Sequence, residues 1–373
     1  MPYVENRIVH DADSHLMELS DCLDAFLDPK YRAAYDELPK LKAWPRDGKL
    51  PNWANAQHDN PEFRAGSDAN ILLRKNYEAL GAFRKQDRPR ALDLLGFTSQ
   101  LIFTTWCLGN FGLDDENPEL AYATAQAHNR MMADFCSVDR RFLGTAYIPL
   151  IDAERTLKTA REAIGLGLKA LLIPSRCPKG HSPSHIMFEP LWAMAQEAGL
   201  PIVFHVGGEE NFTSVSYMPI PHSVMTTLAA LIFDGVLDRH PRLKFGAIEL
   251  GASWLPGWMR NMDSAAQAFI RNEERLQKLS ARPSEIVRRQ LRVTPYPHED
   301  AGWIIANSGE EVCLFSSDFP HVEGGRNPLK RFNDSLANTP ARAVERFYCD
   351  NFVDLMGEGL AADLRHPAPR VAA

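Results

Sequence analysis

The sequence of 373 residues predicts one α/β domain folded as a distorted TIM (β/α)8 barrel with an insertion after strand 1. Short apolar segments alternate with segments of helical periodicity, and eight of the apolar segments have the length of strands. The first of them runs into Asp-Ser-His, whereas a doubly wound open sheet normally carries a glycine-rich phosphate loop there. Eight strands separated by helices favour a closed parallel barrel, which reaches this chain length through insertions.

The predicted strands are spread along most of the chain. They cover residues 8–13, 99–104, 143–148, 168–173, 201–205, 243–250, 291–294 and 312–316. A helix is predicted at residues 152–164, because apolar residues recur there at helical spacing behind Asp152, a suitable N-cap. This helix and the strands on either side of it form one repeat of the barrel.

Two segments fall outside the regular repeat. Residues 1–360 are assigned to the barrel, and an insertion at about 20–95 is rich in proline and carries Trp44 and Trp53. This insertion follows the first strand, so a lid over its mouth or an oligomer contact is expected. The tail at 361–373 is rich in alanine and proline with little to bury, which predicts an arm or a disordered end.

Composition excludes several classes of function. A hydrophobic fraction of 45% is ordinary for a globular enzyme, and no apolar run approaches the roughly 20 residues that cross a bilayer. A net charge of -7 provides no basic surface for nucleic acid. The first residues lack the pattern of a secretory signal, and the six cysteines form no CxxC pair. A cytoplasmic enzyme of small-molecule chemistry is the resulting expectation.

Three of the predicted strands end in metal-ligand residue types. Asp13 and His15 are two residues apart at the end of the first strand, so their side chains share one side of it, and strand alternation predicts Asp11 on the same side. His205 ends the fifth strand, and Asp318 follows the eighth. Taken singly, each has a structural explanation, such as a turn cap or a packed histidine. Together they predict one divalent site, for zinc or manganese, because carboxyl ends of barrel strands meet at one face.

Several motifs resemble those of the amidohydrolase superfamily, and of its aminocarboxymuconate-semialdehyde decarboxylase-like branch in particular. They are Asp-Ala-Asp-Ser-His-Leu-Met-Glu at 11–18, Phe-His-Val-Gly-Gly at 204–208 and Ser-Asp-Phe-Pro-His at 317–321, with further similarity at 231–241 and 248–256. The resemblance implies a distorted barrel that holds one divalent ion. Its ligands would be Asp13, His15, His205 and Asp318. It also implies a homodimer.

The chain departs from the pattern of that branch at two positions. Where the family often has His-x-His, this chain has Asp13-x-His15, which is closer to the Glu-x-His of aromatic-acid decarboxylases and makes manganese plausible. On strand six it has Glu249 where better-known decarboxylases have a histidine. Glu249, Asp318 and His321 are the catalytic candidates, and a salt bridge at the barrel rim is the alternative for Glu249.

The remaining candidates lie after other strands or close to the first. Glu18, three residues past His15, is expected to orient a ligand or to act on the ion from outside the coordination shell, or else to be solvated, and it is also a candidate for contact with substrate. Substrate contacts are expected from the ends of strands two, four and seven, where the candidates are Thr105, Trp106, Arg176, Tyr296 and His298.

The predicted function is non-oxidative decarboxylation of a small aromatic or unsaturated carboxylic acid, which the resemblance places first. Hydrolysis of an amide, ester, lactone or carbon–carbon bond by a metal-activated water is the close alternative. A barrel that binds a small ligand without catalysis is the alternative from another class, since the usual His-x-His opening and strand-six histidine are missing.

Overall fold

The computed structural model describes residues 2–38, 49–107, 117–175, 181–206 and 221–368. Within these residues seven parallel strands form one curled sheet in chain order. The strands are β1 (His10–Leu16), β2 (Ser99–Thr104), β3 (Phe142–Tyr147), β4 (Ala170–Leu172), β5 (Ile202–His205), β6 (Phe245–Ile248) and β7 (Leu291–Val293). Every residue of these strands is buried, as expected for a parallel sheet that helices cover.

An irregular segment at residues 312–319, the closing segment, lies between the two edges of this sheet. On one side the Leu314 amide donates to the Val293 carbonyl at 2.9 Å, and on the other the His15 amide donates to the Phe319 carbonyl at 2.7 Å. The sheet is therefore bridged from β7 to β1, and the predicted TIM-like α/β fold is confirmed. The eighth predicted strand is an extended segment that pairs only through isolated bridges.

Helices follow the strands around the outside of the barrel. Those of the described residues are Arg32–Asp36, Lys49–Asp59, Pro61–Ala69, Arg88–Leu95, Pro118–Cys136, Ala153–Gly165, Glu189–Glu197, His222–Phe233, Val236–Arg239, Leu255–Phe269, Glu274–Gln277, Pro283–Gln290, Ala301–Ser308, Pro328–Ser335, Ala341–Glu345, Asn351–Met356 and Ala362–Arg365. Asp152 caps helix Ala153–Gly165 as predicted, accepting a hydrogen bond from the Arg155 amide at 2.8 Å. Among the residues that the structure describes, no helix is long and apolar enough to cross a membrane.

The segment between β1 and β2 reaches the mouth of the barrel. The Tyr77 hydroxyl donates to the Glu18 carbonyl at 2.7 Å, and the Asn76 amide donates to the Pro320 carbonyl at 2.9 Å. Lys75 donates to the carbonyl of Gly325 at 2.6 Å. The insertion therefore holds the loop after the closing segment, beside the carboxyl ends of the strands.

The chain end packs more closely than its composition predicts. Leu360 and Leu364 are buried in a cluster with residues of β1 to β6, and His10 contacts the Arg365 carbonyl. Alanine and proline dominate only the last residues, of which 369–373 lie outside the described part. An arm was expected from residue 361, and the described portion is instead part of the barrel's packing.

Two buried histidines make folding sensitive to acid. Burial lowers the pKa of His10 and of His128 to about 4, from an ordinary value of 6.5. Between pH 6.5 and 4 the unfolded chain therefore takes up protons that the folded chain excludes, so stability falls as the pH falls. His128→Gln should flatten the dependence of the unfolding free energy on pH by up to about 1.4 kcal/mol per pH unit.

The measurement is urea unfolding at intervals from pH 5 to pH 7. His185→Gln is the matched control, because His185 is exposed. Comparing slopes removes any constant loss of packing energy in the His128 variant. An unchanged slope would show that His128 is able to take up its proton in the folded protein.

Candidate metal centre

Six titratable side chains meet at the carboxyl end of the barrel. Two come from β1, one ends β5, one directly follows β6, and two lie in or after the closing segment: Asp13, His15, His205, Glu249, Asp318 and His321. The sequence predicted all six as metal ligands or catalytic groups. The parallel strands bring them together because all their carboxyl ends lie at one face.

The ligand atoms of this cluster lie around a common point. His15 Nε2 is 3.2 Å from Asp13 Oδ1, 3.5 Å from Asp318 Oδ1 and 3.8 Å from Glu249 Oε2. His205 Nε2 is 3.4 Å from Asp13 Oδ1 and 3.2 Å from Glu249 Oε2. One atom from each of Asp13, His15, His205 and Glu249 lies within 4.8 Å of the other three. One ion can therefore touch carboxylates and imidazoles together.

Hydrogen bonds on the far side fix both imidazoles. Nδ1 of His15 is 3.0 Å from the Thr104 carbonyl, and Nδ1 of His205 is 2.7 Å from the Val206 carbonyl. A carbonyl only accepts, so each Nδ1 carries the hydrogen and each Nε2 presents a lone pair in the neutral ring. This is the arrangement of metal-ligating histidines, whose other nitrogen donates to a carbonyl or carboxylate.

His15 Nε2 is the most informative atom of the cluster. It is completely buried and has no hydrogen-bond partner among the residues that the structure describes. Burial lowers the pKa of His15 to about 4, so the ring is neutral at pH 7. A lone pair that faces three carboxylates is repelled by them, and a buried unpaired polar atom is costly. A cation between these atoms would remove both penalties, so the residues fit a metal ion.

The carboxylates differ in their affinity for a proton. Burial acts to raise the pKa of Asp13, but His15 and His205 hold it well below its usual range. Burial, with the nearby Asp318 and Asp13, raises the pKa of Glu249 well above its ordinary value. Adjacent carboxylates disfavour each other's ionisation. In the absence of a cation, Glu249 therefore holds a proton more readily than Asp13 does.

Two of the acidic residues have a strained backbone. Glu249 has a φ of 54° and Asp318 a φ of 50°, in the left-handed region that residues with a Cβ rarely adopt. Gly324 lies against Asp318, and a Cβ at that glycine would be 1.9 Å from the Ser317 carbonyl oxygen. Strain of this kind persists where the surrounding structure fixes it, commonly at functional sites.

Asp318 and His321 form a close pair at the edge of the cluster. Nδ1 of His321 lies 2.8 Å from Asp318 Oδ1, but off the direction of a hydrogen bond. Neither oxygen of Asp318 has a hydrogen-bond partner among the described residues, so both keep lone pairs available. Burial acts to lower the pKa of His321, and the Asp318 carboxylate raises it above its ordinary value.

Asp11 has a separate role, although strand alternation predicted it on the side of Asp13. A bulge interrupts β1 between Asp11 and Ser14, so the alternation is broken there. The Asp11 carboxylate accepts hydrogen bonds from the Ser317 amide at 2.8 Å and from the Gln100 side chain at 2.9 Å. Burial raises its pKa to about 7. Asp11 joins the closing segment to β1 and β2.

A narrow cleft leads to the cluster. It is lined by Asp13, Glu249, Thr294, Pro295, Tyr296, Pro297, Ser316, Asp318, Glu323 and Gly324. The Tyr296 hydroxyl donates to the Glu249 carbonyl at 2.7 Å, and the exposed ring of His298 stacks on Tyr296 at 5.4 Å. Tyr296 thus lies at the cleft with His298 behind it, whereas Trp106 is 48% exposed after β2. Arg176 lies outside the described residues.

Sequence reasoning missed one supporting residue. Arg88 is fully buried and donates to the His15 carbonyl at 2.9 Å and to the Ser14 hydroxyl at 3.1 Å. It belongs to helix Arg88–Leu95, far from β1 in the chain. An arginine at the start of a helix usually indicates a solvated position, so no local signal could have identified it.

A closed set of parallel strands with buried imidazoles and carboxylates at their carboxyl ends defines a barrel of the metal-dependent enzyme class. The chain belongs to the amidohydrolase family, whose model matches residues 96–353, and it is an enzyme. The predicted superfamily is thereby confirmed. No curated protein matches the sequence.

Solved structures share the fold over almost the whole chain. An amidohydrolase from Mycobacterium avium subsp. paratuberculosis superposes with a TM-score of 0.74 at 21% identity, covering 95% of this chain and 100% of that one. A manganese-bound 5-carboxyvanillate decarboxylase from Novosphingobium aromaticivorans gives 0.62 at 19%, covering 94% and 96%. A dihydroxybenzoic acid decarboxylase from a Polaromonas species, with bound manganese and 2-nitroresorcinol, gives 0.61 at 17%, covering 96% and 100%.

Proposed function

We propose that this protein is a divalent-metal-dependent enzyme that removes carbon dioxide, without oxidation, from a small aromatic carboxylic acid. The observation that carries the proposal is the buried Nε2 of His15, which faces three carboxylates with no hydrogen-bond partner among the described residues. The structural neighbours support the choice of reaction, because two of them are decarboxylases of aromatic acids with bound manganese.

Asp13, His15 and His205 would hold the ion together with Glu249, since one ligand atom from each of the four lies within 4.8 Å of the others. Asp318, predicted as the fourth ligand, instead groups with His15, Glu249 and His321, so it would reach the ion from the His15 side. Several carboxylates around two imidazoles suit manganese or zinc, and the large share of oxygen ligands favours manganese. The bound ion would supply a fixed positive charge that anchors the oxygens of an acidic substrate. The substrate would enter through the cleft beside Tyr296, which Pro295 and Pro297 also line.

The reaction needs one proton to replace carbon dioxide on the substrate. When the carbon–carbon bond breaks, its electron pair stays on the ring carbon, and a proton bound to the enzyme then forms the new carbon–hydrogen bond. Asp318 is placed to carry this proton, because both its oxygens are free of hydrogen bonds from the described residues and His321 lies 2.8 Å away. Glu249, with its raised pKa, is the second candidate for this role.

Hydrolysis is the second candidate function. The free lone pairs of Asp318 favour it as well, since a carboxylate that is not hydrogen-bonded can take a proton from an attacking water. In that reaction an amide, ester, lactone or carbon–carbon bond next to a carbonyl would be cut. The two functions differ in one respect that can be measured: hydrolysis places solvent oxygen in the product, and decarboxylation does not.

The test begins with elemental analysis of the purified protein and continues with the metal-free form. We expect one tightly held divalent ion per chain and release of carbon dioxide from a hydroxylated benzoic acid after manganese or zinc is restored. The aromatic product formed in heavy-oxygen water should contain no solvent oxygen; the carbon dioxide is not used for this measurement, because it exchanges oxygen with water. Solvent oxygen in the product would favour hydrolysis, and a protein that neither binds a divalent ion nor turns over any acid would refute both functions.

A further inference from the structure

Glu18 lies next to the metal centre without entering it. It is two residues past β1 and 1% exposed, and burial raises the pKa of its carboxyl group while backbone amides oppose that rise. Its oxygens accept hydrogen bonds from the Thr104 hydroxyl, from the Thr105 amide at 3.0 Å and from the Trp106 amide at 2.9 Å. The turn after β2 is therefore folded around this carboxylate.

The same turn contacts the far sides of two imidazoles of the cluster. The Thr104 carbonyl accepts from His15 Nδ1 at 3.0 Å. The Thr105 hydroxyl oxygen lies 3.0 Å from His321 Nε2 and 3.4 Å from His15 Nδ1, and it donates its own hydrogen to the Leu16 carbonyl at 2.9 Å. Since that hydrogen is used, the oxygen acts as an acceptor towards His321.

These contacts determine which ring nitrogen faces the cluster. With Nε2 of His321 held by Thr105, Nδ1 lies on the side of Asp318, 2.8 Å from Oδ1. With Nδ1 of His15 held by Thr104, Nε2 faces the carboxylates. The two rings are only 4.0 Å apart, so a rotation of one is limited by the other. A small displacement of the turn would therefore misalign both imidazoles.

We propose that Glu18 and Thr105 are positioning residues, in which Glu18 fixes the turn and the Thr105 hydroxyl fixes His321 and, with Thr104, His15. They set the affinity for the divalent ion and the alignment of His321 with Asp318, but they touch neither ion nor substrate. The inference rests on the proposed function only in requiring that the centre bind a divalent ion. Partners of this kind typically influence metal affinity or activity by 10- to 100-fold.

The decisive variants change one group and keep the shape of the side chain. Thr105→Val removes the hydroxyl, and Thr105→Ser keeps it. Glu18→Gln replaces an accepting oxygen with an amide nitrogen that would face backbone N–H groups. Thr226→Val is the matched control, because Thr226 is exposed on helix His222–Phe233 and its hydroxyl donates only locally, to the His222 carbonyl at 2.8 Å.

Each variant is titrated with manganese(II) alone, and we record the electron paramagnetic resonance spectrum of the bound ion. We also measure the melting temperature of the metal-free protein, and kcat and KM of the metal-loaded protein. Thr105→Val and Glu18→Gln should weaken manganese binding by about 10-fold or more, alter that spectrum and lower kcat more than they raise KM. Thr105→Ser should bind like the parent. The metal-free Thr105→Val protein should still melt cooperatively, at a lower temperature, because the Leu16 carbonyl and His321 Nε2 each lose a hydrogen-bond partner.

Two outcomes would overturn the inference, and they are distinguishable from each other. If the parent protein binds manganese and Thr105→Val binds it equally well with the same spectrum, the positioning role is wrong while the metal centre stands. If the parent binds neither manganese nor zinc, the proposed function fails and the positioning role fails with it. If Glu18→Gln does not fold, Thr105→Val still tests the positioning role, because Thr105 is half-buried and valine has nearly the same shape.

Discussion

His15→Ala abolishes the binding of a divalent ion, and turnover with it. His15 Nε2 is within 3.8 Å of carboxylate oxygens of Asp13, Glu249 and Asp318, so it contributes a neutral donor at the point where the negative charges converge. Losing an outer partner of a metal ligand costs about 10- to 100-fold in affinity, and losing the ligand itself should cost more. Dialysis of the variant against manganese should leave it essentially empty.

Thermal melting gives a second measurement of the same effect. A ligand that binds only the folded state raises the free energy of unfolding of the protein. The increase grows with the logarithm of the ratio of ligand concentration to Kd. The melting temperature of the parent should therefore rise with added manganese, and that of His15→Ala should not. His185→Ala, at an exposed position, is the control and should respond like the parent. A variant that still binds and melts like the parent would exclude His15 from the ligand set.

The side chains proposed as metal ligands could be predicted to lie close together from the sequence, because they lie at strand ends. Asp13 and His15 lie near the end of β1, and His205 ends β5. The topology of a barrel places the carboxyl ends of all its strands at one face, regardless of the length of the segments between them. Glu249 was predicted as a catalytic group, and the structure also places it 3.2 Å from His205. That contact depends on the left-handed backbone at Glu249, which residue type does not indicate.

Features that depend on contacts between distant segments were harder to predict. The bulge in β1 redirects Asp11, and alternation along a strand cannot reveal a residue inserted out of register. The contacts of Thr105 with His321 join residues 216 positions apart. The eighth strand was predicted from its apolar run, but the left-handed Asp318 bends the segment and limits its pairing to isolated bridges.

We expect Asp318→Asn to impair proton transfer to the substrate more than it impairs binding of the divalent ion. Asparagine has the shape of aspartate and keeps one carbonyl oxygen, but it cannot take up and release a proton near neutral pH. If Asp318 carries the proton, kcat should fall by about 100- to 10,000-fold, the usual contribution of a general acid or base. The ion should be retained more tightly than in His15→Ala, because His15, His205 and Asp13 remain.

Comparing Asp318→Asn with Glu249→Gln shows which of the two carboxyl groups donates the proton to the substrate. Burial and two nearby carboxylates raise the pKa of Glu249, so it holds a proton more readily than Asp13 does. A kcat that survives Asp318→Asn but is lost in Glu249→Gln would move the proton to Glu249 and leave Asp318 as a ligand alone. Asp334→Asn, on the surface of helix Pro328–Ser335, controls for the loss of a negative charge. Both test variants keep the shape of the side chain and remove its ionisation, so the one that stops turnover while the ion stays bound identifies the carboxylate that protonates the substrate.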